Sequence, residues 1–179
     1  MKLVILDRDG VINFDSDQYI KSPLEWRPIP GSIEAIARLN QNGYRIAVAT
    51  NQSGIGRGLF DMATLNAMND KMMELVFRQG GRIDALFFCP HTAVEDCNCR
   101  KPRTGMLEEI AARFHTELKG VPTIGDSLKD LQAAEAVGAQ PILVLTGKGA
   151  QTKLEGGMPK KTLVFDNLGE AVRQLISHA

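Results

Sequence analysis

The sequence predicts an α/β fold, with a Rossmann-like, doubly wound sheet whose strands run mainly parallel. Short apolar runs of strand length alternate with amphipathic segments of helical spacing along nearly the whole chain. This alternation is typical of β/α units, in which helices cover both faces of a mainly parallel sheet. A chain of 179 residues is long enough for one complete core, so residues 1–179 are expected to form a single domain.

Each element follows from local pattern. The first helix is predicted to open at Pro30-Gly31-Ser32 and to end at Gly43, and Asp61 is a predicted N-cap for a long helix through Gln79. Further helices are predicted over residues 106–114, 129–137 and 168–176. Strands are predicted over residues 2–6, 45–49, 85–88, 121–124, 141–145 and 163–165. The segment from Gly147 to Lys161, rich in glycine and lysine, is predicted to be a mobile surface loop.

Composition narrows the function classes. Lysines and arginines number 21 and acidic residues number 21, so the basic excess that is typical of a nucleic-acid-binding protein is missing. The apolar run over residues 3–6 is too short for a signal peptide or a membrane span. We therefore expect a cytoplasmic protein with no nucleic-acid or membrane partner, and a monomer because no apolar surface stripe stands out. His115 and His178 are expected to be solvated.

Two aspartates follow the first predicted strand. Asp7 and Asp9 are two positions apart, so on an extended backbone both side chains would point the same way. Paired carboxylates can hold Mg²⁺, which prefers oxygen ligands, and a carboxylate can also attack phosphorus to form an aspartyl-phosphate. The alternative is a solvated Asp-Gly turn at the end of a strand.

Later residues extend this group. The hydroxyl of Thr50 could bind oxygens of a transferred group, Lys101 before Pro102 offers a point charge, and Asp126 offers a third acidic ligand. Taken singly, each has an ordinary explanation: a threonine turn, a surface lysine and a helix N-cap. Together they predict a phosphoryl-transfer site, in which Asp130 would orient the lysine or metal-bound waters.

All three cysteines lie in one short loop over residues 89–99. Three cysteines and one histidine form a closed tetrahedral set for zinc, so the metal would be structural. It would hold the loop that carries Arg100 and Lys101. The alternatives are a few buried cysteines or a redox Cys-x-Cys pair. The candidate ligands are Cys89, His91, Cys97 and Cys99.

The order of these residues on successive β/α units resembles the haloacid dehalogenase (HAD) superfamily of phosphohydrolases, here without a large inserted cap domain. The resemblance implies that Asp7 is the nucleophile and that Asp9 protonates the leaving group and then activates water. It also implies that Thr50 and Lys101 stabilise the phosphoryl group. The implied Mg²⁺ ligands are Asp7, Asp9 and Asp126. The motifs concerned are Asp7-Arg8-Asp9-Gly10, Ala49-Thr50-Asn51-Gln52-Ser53, Cys99-Arg100-Lys101-Pro102 and Ile124-Gly125-Asp126-Ser127.

A Cys/His loop just before Arg-Lys-Pro narrows the resemblance to the D-glycero-D-manno-heptose-1,7-bisphosphate 7-phosphatase family. That family's activity would be removal of the 7-phosphate in ADP-heptose and lipopolysaccharide core synthesis, with catalytic Mg²⁺ and structural Zn²⁺. Arg100 could bind the second phosphate of such a phosphosugar bidentately. The other implied substrate contacts are Asn51, Gln52 and Ser53, with Asp15, Asp17, Tyr19 and Arg57 as further candidates.

Two other functions compete with this interpretation. The histidinol-phosphate phosphatases of histidine biosynthesis are close relatives with the same loop, so the residues alone leave that substrate open. A receiver-type signalling domain also places an Asp cluster, a Thr and a Lys around Mg²⁺. A receiver would need its phosphoacceptor aspartate at the end of the third strand, where this chain has Phe88-Cys89-Pro90. The sequence therefore favours an enzyme over a signalling domain.

Overall fold

A six-stranded parallel sheet lies at the centre of the computed structural model, which describes residues 1–177. The strand order is β3-β2-β1-β4-β5-β6, and every neighbouring pair is parallel. The predicted fold class is therefore confirmed. His178, expected to be solvated, lies outside the described residues. The strands are β1 (Lys2–Leu6), β2 (Tyr44–Asn51), β3 (Ala85–Cys89), β4 (Pro122–Gly125), β5 (Gln140–Val144) and β6 (Leu163–Phe165).

Helices connect the strands. The predicted N-cap is confirmed, since the Asp61 carboxylate accepts a hydrogen bond of 2.8 Å from the backbone N–H of Thr64. His115, expected to be solvated, is exposed at the end of its helix. The helices are α1 (Ser32–Gln41), α2 (Ser53–Gly56), α3 (Met62–Arg78), α4 (Gly105–Phe114), α5 (Leu128–Ala136), α6 (Gly149–Glu155) and α7 (Leu168–Ser177), with a 3₁₀ turn at Ala93–Glu95.

The sheet has a core layer on each face. Successive side chains of a strand point to opposite faces, and β1 divides accordingly. Val4 and Leu6 pack with buried residues of α1, α3 and α7, whereas Leu3 and Ile5 pack with those of α4 and α5. Both faces of β1 are therefore covered, which explains why its sequence is an unbroken apolar run rather than an alternating one.

The strand order creates a crevice at one edge of the sheet. β1 lies between β2 and β4, because the chain adds β2 and β3 on one side of β1 and then crosses back to add β4, β5 and β6 on the other side. Ligands of open parallel sheets bind at such a reversal, beyond the carboxyl ends of the strands. Asp7 directly follows β1 and Asp126 directly follows β4. The fold thus brings two acidic residues that are far apart in sequence to one crevice.

The segment after β5 departs from its prediction. A loop was expected from Gly147 to Lys161, but residues 149–155 form the helix α6. The prediction is wrong because long-range contacts outweigh the poor helix propensity of glycine. Thr152 is buried and donates a hydrogen bond of 2.8 Å to the carbonyl of Asp126. A Cβ at Gly149 would lie 1.7 Å from the Val144 carbonyl oxygen, so only glycine fits that close approach.

In the described part of the chain, only short segments surround the crevice. Within residues 1–177, loops and short helices rather than a large cap domain surround the carboxyl ends of the strands. Of the helices in this range, none has both the length and the apolar character that are needed to cross a bilayer.

Candidate active site

A cavity of about 710 Å³ lies at the carboxyl ends of the strands and is lined mainly by polar side chains. It brings together most of the residues that the sequence predicted for phosphoryl transfer and substrate binding. Arg57 is the exception, because its guanidinium lies over the Tyr19 ring, 5.7 Å from the ring centre, rather than along the cavity wall. The predicted residues that line the cavity are Asp7, Asp9, Asp15, Asp17, Tyr19, Thr50, Asn51, Gln52, Ser53, Arg100, Lys101, Asp126 and Asp130.

Three carboxylates converge at the floor of the cavity. Asp7, Asp126 and Asp130 each offer an oxygen, and these oxygens lie within 4.8 Å of one another. Burial and the nearby Asp130 raise the pKa of Asp7 well above its ordinary value, and the same two causes raise the pKa of Asp126 to about 7. A hard divalent cation would offset this repulsion, and Mg²⁺ favours such oxygen ligands. The donor set therefore fits a magnesium ion.

Asp9 lies outside this carboxylate group. Its Oδ1 accepts hydrogen bonds from Arg8 Nε at 3.0 Å and Asn13 Nδ2 at 2.9 Å. Its Oδ2 accepts from Gln52 Nε2 at 2.9 Å. Both aspartates lie just beyond the end of the strand at Leu6, so the alternation of an extended backbone does not by itself set the direction of the Asp9 side chain. A role for Asp9 as a magnesium ligand stays a prediction.

The two aspartates consequently differ in proton affinity. Burial disfavours the charge on Asp9, but the adjacent Arg8 guanidinium and hydrogen bonds from Arg8, Asn13 and Gln52 outweigh it and lower its pKa. The pKa of Asp7 moves the opposite way. Environments that separate the pKa values of two neighbouring acids are typical of sites where the acids have different roles.

Lys101 is buried among the carboxylates. Its Nζ lies 2.6 Å from Asp130 Oδ1 and 3.1 Å from Asp7 Oδ1, and it donates a 2.7 Å hydrogen bond to the Ala49 carbonyl. Burial opposes the charged form, yet Asp130 and Asp7 hold the lysine pKa above its ordinary range. The ammonium is therefore fixed beside the candidate nucleophile, and the predicted role of Asp130 in orienting the lysine is consistent with this contact.

The residues after β2 organise the opposite wall. Thr50 is fully buried, and its Oγ1 accepts a 2.9 Å hydrogen bond from the Gln52 amide, which also bonds Asp9. The Asn51 side chain exchanges hydrogen bonds with the backbone of Lys101. Ser53 is buried and begins the short helix α2. This wall therefore links β2 to both the lysine and the second aspartate.

Sequence reasoning missed one side of the cavity. Lys129 lines it from the start of α5, and the segment after β5 contributes Lys148. The Lys148 backbone N–H donates a 2.8 Å hydrogen bond to Asp126 Oδ2, and its Nζ lies 3.7 Å from Asp15 and 3.9 Å from Asp17. The only available signal was position, since the segment follows the carboxyl end of a strand. The further missed residues here are Gln151, Thr152 and Glu155.

The zinc candidates meet as predicted. Cys89, His91, Cys97 and Cys99 place their ligand atoms within 4.8 Å of one another, so the four side chains could hold a metal ion. Cys99 Sγ lies 2.9 Å from Cys89 Sγ and 3.3 Å from His91 Nδ1. Burial raises the pKa values of Cys89 and Cys99, while the backbone N–H of Arg100 helps to lower that of Cys97 to about 7 against burial. A Cys₃His set of this kind fits zinc.

Two family models match the chain. The Polynucleotide kinase 3 phosphatase model matches residues 2–128, and the HAD-hydrolase-like model matches residues 98–171. Together with the parallel sheet and the carboxylate and lysine cluster at its edge, these matches define a phosphoric monoester hydrolase of the HAD class.

Curated relatives and solved structures narrow this class. A D-glycero-β-D-manno-heptose-1,7-bisphosphate 7-phosphatase of Pseudomonas putida is 57% identical over 176 residues, 98% of this chain and 100% of the relative. That of Bordetella bronchiseptica is 53% identical over 179 residues, 100% of each chain. The chain belongs to this phosphatase family.

The structural matches extend over the same length. A crystal structure of D,D-heptose 1,7-bisphosphate phosphatase from B. bronchiseptica, complexed with magnesium and phosphate, superposes with a TM-score of 0.99 at 53% identity over 100% of both chains. The Burkholderia thailandensis enzyme gives a TM-score of 0.79 at 52% identity over 99% of both chains. The sequence-based recognition of the family is therefore confirmed.

Proposed function

We propose that this protein is a magnesium-dependent phosphatase that removes the 7-phosphate of D-glycero-D-manno-heptose 1,7-bisphosphate. The observation that supports it best is the convergence of Asp7, Lys101 and Asp126 at the crevice of a chain that matches named heptose bisphosphate phosphatases over its whole length. The similar B. bronchiseptica structure contains magnesium and phosphate, which are the cofactor and product expected of such a reaction.

The first chemical step is an attack of Asp7 on the 7-phosphorus. A carboxylate oxygen of Asp7 forms a bond to phosphorus while the bond to the sugar oxygen breaks, which leaves an aspartyl-phosphate. The carboxylate of Asp9, held by Arg8 and Gln52, is ionised in the free site because its pKa is lowered. It therefore takes up a proton as the phosphate ester binds, and it delivers that proton to the departing oxygen. In the second step Asp9 removes a proton from water, which attacks phosphorus, releases inorganic phosphate and restores Asp7.

Charge stabilisation comes from the surrounding groups. The buried Lys101 ammonium lies 3.1 Å from the nucleophile and offsets negative charge on the phosphoryl oxygens, while the Thr50 hydroxyl can donate to one of them. Asp7 and Asp126, with Asp130 nearby, would hold Mg²⁺. When bound, this ion supplies a positive charge that polarises the phosphoryl oxygens. Asp9 remains a further candidate ligand.

The rest of the substrate would contact the cavity wall. Arg100 lines the cavity with its Nη1 bonded to the His91 carbonyl at 3.3 Å, and it is proposed to bind the 1-phosphate. Direct contacts are also proposed for Asn51, Gln52 and Ser53. Asp15, Asp17 and Tyr19 lie where they could bind sugar hydroxyls, whereas Arg57 would act through its stacking on Tyr19.

Several broader properties belong to the same proposal. We propose that residues 1–179 act as one catalytic domain, that Zn²⁺ holds the 89–99 loop, and that the protein is a cytoplasmic monomer that binds neither nucleic acid nor membrane. Its place would be in ADP-heptose and lipopolysaccharide core synthesis. The net charge of zero supports the absence of a nucleic-acid partner. The four clustered side chains of Cys89, His91, Cys97 and Cys99 support the zinc site.

Phosphate release from two substrates tests the proposal. With Mg²⁺ present, kcat/KM for the heptose 1,7-bisphosphate should exceed that for histidinol phosphate by about a hundredfold, or roughly 2.7 kcal/mol of transition-state discrimination. Asp7→Asn should remove activity on both, whereas Asp70→Asn, which changes an exposed aspartate on α3, should not. The reverse substrate preference would refute the proposed substrate, and normal turnover by Asp7→Asn would refute the nucleophile.

A further inference from the structure

Arg8 is a fully buried cation that the proposed mechanism does not use. It lies between the two aspartates in sequence, has 0% exposure and is absent from the cavity wall, so it cannot contact substrate directly. Its backbone N–H donates a 2.8 Å hydrogen bond to Asp7 Oδ1. Its side chain turns instead to Asp9. Burial of a guanidinium costs free energy unless its N–H groups donate hydrogen bonds. The partners of the Arg8 side chain therefore indicate why it is buried here.

The guanidinium forms a fork with Asp9. Arg8 Nε lies 3.0 Å from Asp9 Oδ1, and Arg8 Nη2 lies 3.3 Å from Asp9 Oδ2. Such two-point contact fixes the direction of a carboxylate as well as its position, which the point charge of a lysine cannot do. The Asp9 side chain is itself 21% exposed, so it is held from the protein side and open on the other.

A third contact anchors the fork to helix α3. Arg8 Nη1 donates a 3.1 Å hydrogen bond to the side-chain oxygen of Asn69, which is 7% exposed. Helix propensity does not explain an asparagine in the middle of a 17-residue helix, because asparagine is a poor helix former. Its position is explained if its amide oxygen fixes the plane of the guanidinium.

We propose that Arg8, anchored by Asn69, is a positioning residue that aims the Asp9 carboxyl group at the leaving oxygen. This inference rests on the proposed phosphatase function and on Asp9 as its acid. Proton delivery requires the acid within hydrogen-bond reach of the departing oxygen. The two hydrogen bonds from Arg8 orient the Asp9 carboxyl group from the buried side, while Gln52 contacts the same carboxylate from the cavity side.

A comparison of leaving groups tests this role. A nitrophenolate leaves as a stable anion and needs little protonation, whereas a sugar alkoxide needs a proton. The constant kcat/KM reports the steps through leaving-group departure, so it isolates the acid step from later hydrolysis of the phosphoenzyme. The variants are Arg8→Lys, which keeps the charge but loses the fork, and Asn69→Leu, which leaves both aspartates and Arg8 in place. Asn66→Leu, at an exposed position of the same helix, is the matched control.

For Arg8→Lys, kcat/KM on the heptose bisphosphate should fall at least about tenfold more than on p-nitrophenyl phosphate. Asn69→Leu should show the same selectivity with a smaller loss, and Asn66→Leu should match wild type on both substrates. Equal losses on both substrates in the folded variants would overturn the inference and leave Arg8 a purely structural residue.

The two proposals can fail separately. A wild-type enzyme that hydrolyses other alkyl phosphates but not the heptose bisphosphate would refute the proposed substrate, and the comparison with p-nitrophenyl phosphate would then use those alkyl phosphates. A wild-type enzyme that hydrolyses no phosphate ester would refute both the function and the positioning role.

Discussion

Asn51 and Lys101 exchange two hydrogen bonds across 50 positions of sequence. The Asn51 amide nitrogen donates to the Lys101 carbonyl and the Lys101 N–H donates to the Asn51 side-chain oxygen, both at 3.1 Å. The pair joins the end of β2 to Lys101, two positions after the Cys/His loop. The pair thereby fixes the backbone position from which the Lys101 ammonium reaches Asp7 and Asp130.

Removal of this pair should slow catalysis more than it weakens the fold. We expect Asn51→Ala to lower kcat about tenfold, because a displacement of a catalytic group near 1 Å can cost up to about a hundredfold in rate. The free energy of unfolding should fall by only about 1–2 kcal/mol. Steady-state kinetics and denaturant titration measure both quantities. Asn66→Ala is the control, and an unchanged kcat in Asn51→Ala would contradict the positioning of Lys101 by Asn51.

The contact between α6 and Asp126 predicts an effect on metal affinity. Thr152 Oγ1 donates to the Asp126 carbonyl at 2.8 Å, and the Lys148 N–H holds the carboxylate of the same aspartate. Thr152→Val should weaken Mg²⁺ binding about tenfold, since residues that orient metal ligands typically change affinity by this order. Calorimetric titration with Mg²⁺ alone checks it, and Thr152→Ser should restore binding. Unaltered Mg²⁺ affinity in Thr152→Val, with only a lower Tm, would assign the threonine to helix packing.

Stability should depend on pH and Mg²⁺ together. Burial and Asp130 raise the pKa values of Asp7 and Asp126, the latter to about 7. Without a divalent cation the folded protein therefore keeps protons that the unfolded chain releases above about pH 4. The free energy of unfolding then falls as pH rises from about 4 to 7. The pKa of Asp9 is lowered, so the ionised Asp9 stabilises the folded state, and this stabilisation is lost only as the pH falls further into the acid range.

Thermal melting with and without Mg²⁺ checks this dependence. Mg²⁺ should raise Tm more at pH 8 than at pH 5, because Asp126, whose pKa is about 7, is ionised at pH 8 but largely protonated at pH 5. Since 1 kcal/mol shifts the Tm of a domain of this size by about 2–4 °C, the difference should reach several degrees. An equal Mg²⁺ shift at both pH values would argue against the carboxylate cluster as the binding site.

Zinc removal should both destabilise the protein and reduce activity. The Cys/His loop leads directly into Arg100 and Lys101, so its collapse would displace both side chains. We expect one zinc per chain by elemental analysis, and a loss of at least about 5 °C in Tm for Cys99→Ser or after zinc-selective chelation in excess Mg²⁺. His115→Ala, which alters an exposed histidine outside the loop, serves as the control. A metal-free protein with unchanged Tm and turnover would rule out a structural zinc.

Much of the fold could be predicted because its signals are local. Strands and helices follow from periodicity within about ten residues, and the buried parallel strands are continuous apolar runs. The four candidate zinc ligands were also predictable, since they lie within eleven consecutive positions from Cys89 to Cys99. Three of the four motifs predicted to be catalytic lie at the end of a strand, and parallel topology brings strand ends to one edge.

The features that local sequence patterns did not predict depend on contacts between distant residues. α6 was missed because the contacts of Thr152 and Gly149 that hold it lie with Asp126 and Val144, outside any local window. The surroundings of Asp9 also depend on distant residues, since its carboxylate accepts a hydrogen bond from Gln52, 43 positions along the chain, as well as from Arg8.

By itself the sequence determined the order of the β/α units, the residue types of the site, the candidate zinc loop and the family to which the chain belongs. The tertiary structure decided how those residues act on one another. It placed Asp130 with Asp7 and Asp126, bonded Asn51 to Lys101, and joined Arg8 to Asn69 across 61 positions. The physical reason is that hydrophobic periodicity is a local property of neighbouring residues. A hydrogen bond between distant segments, in contrast, forms only once the sheet and its helices have packed.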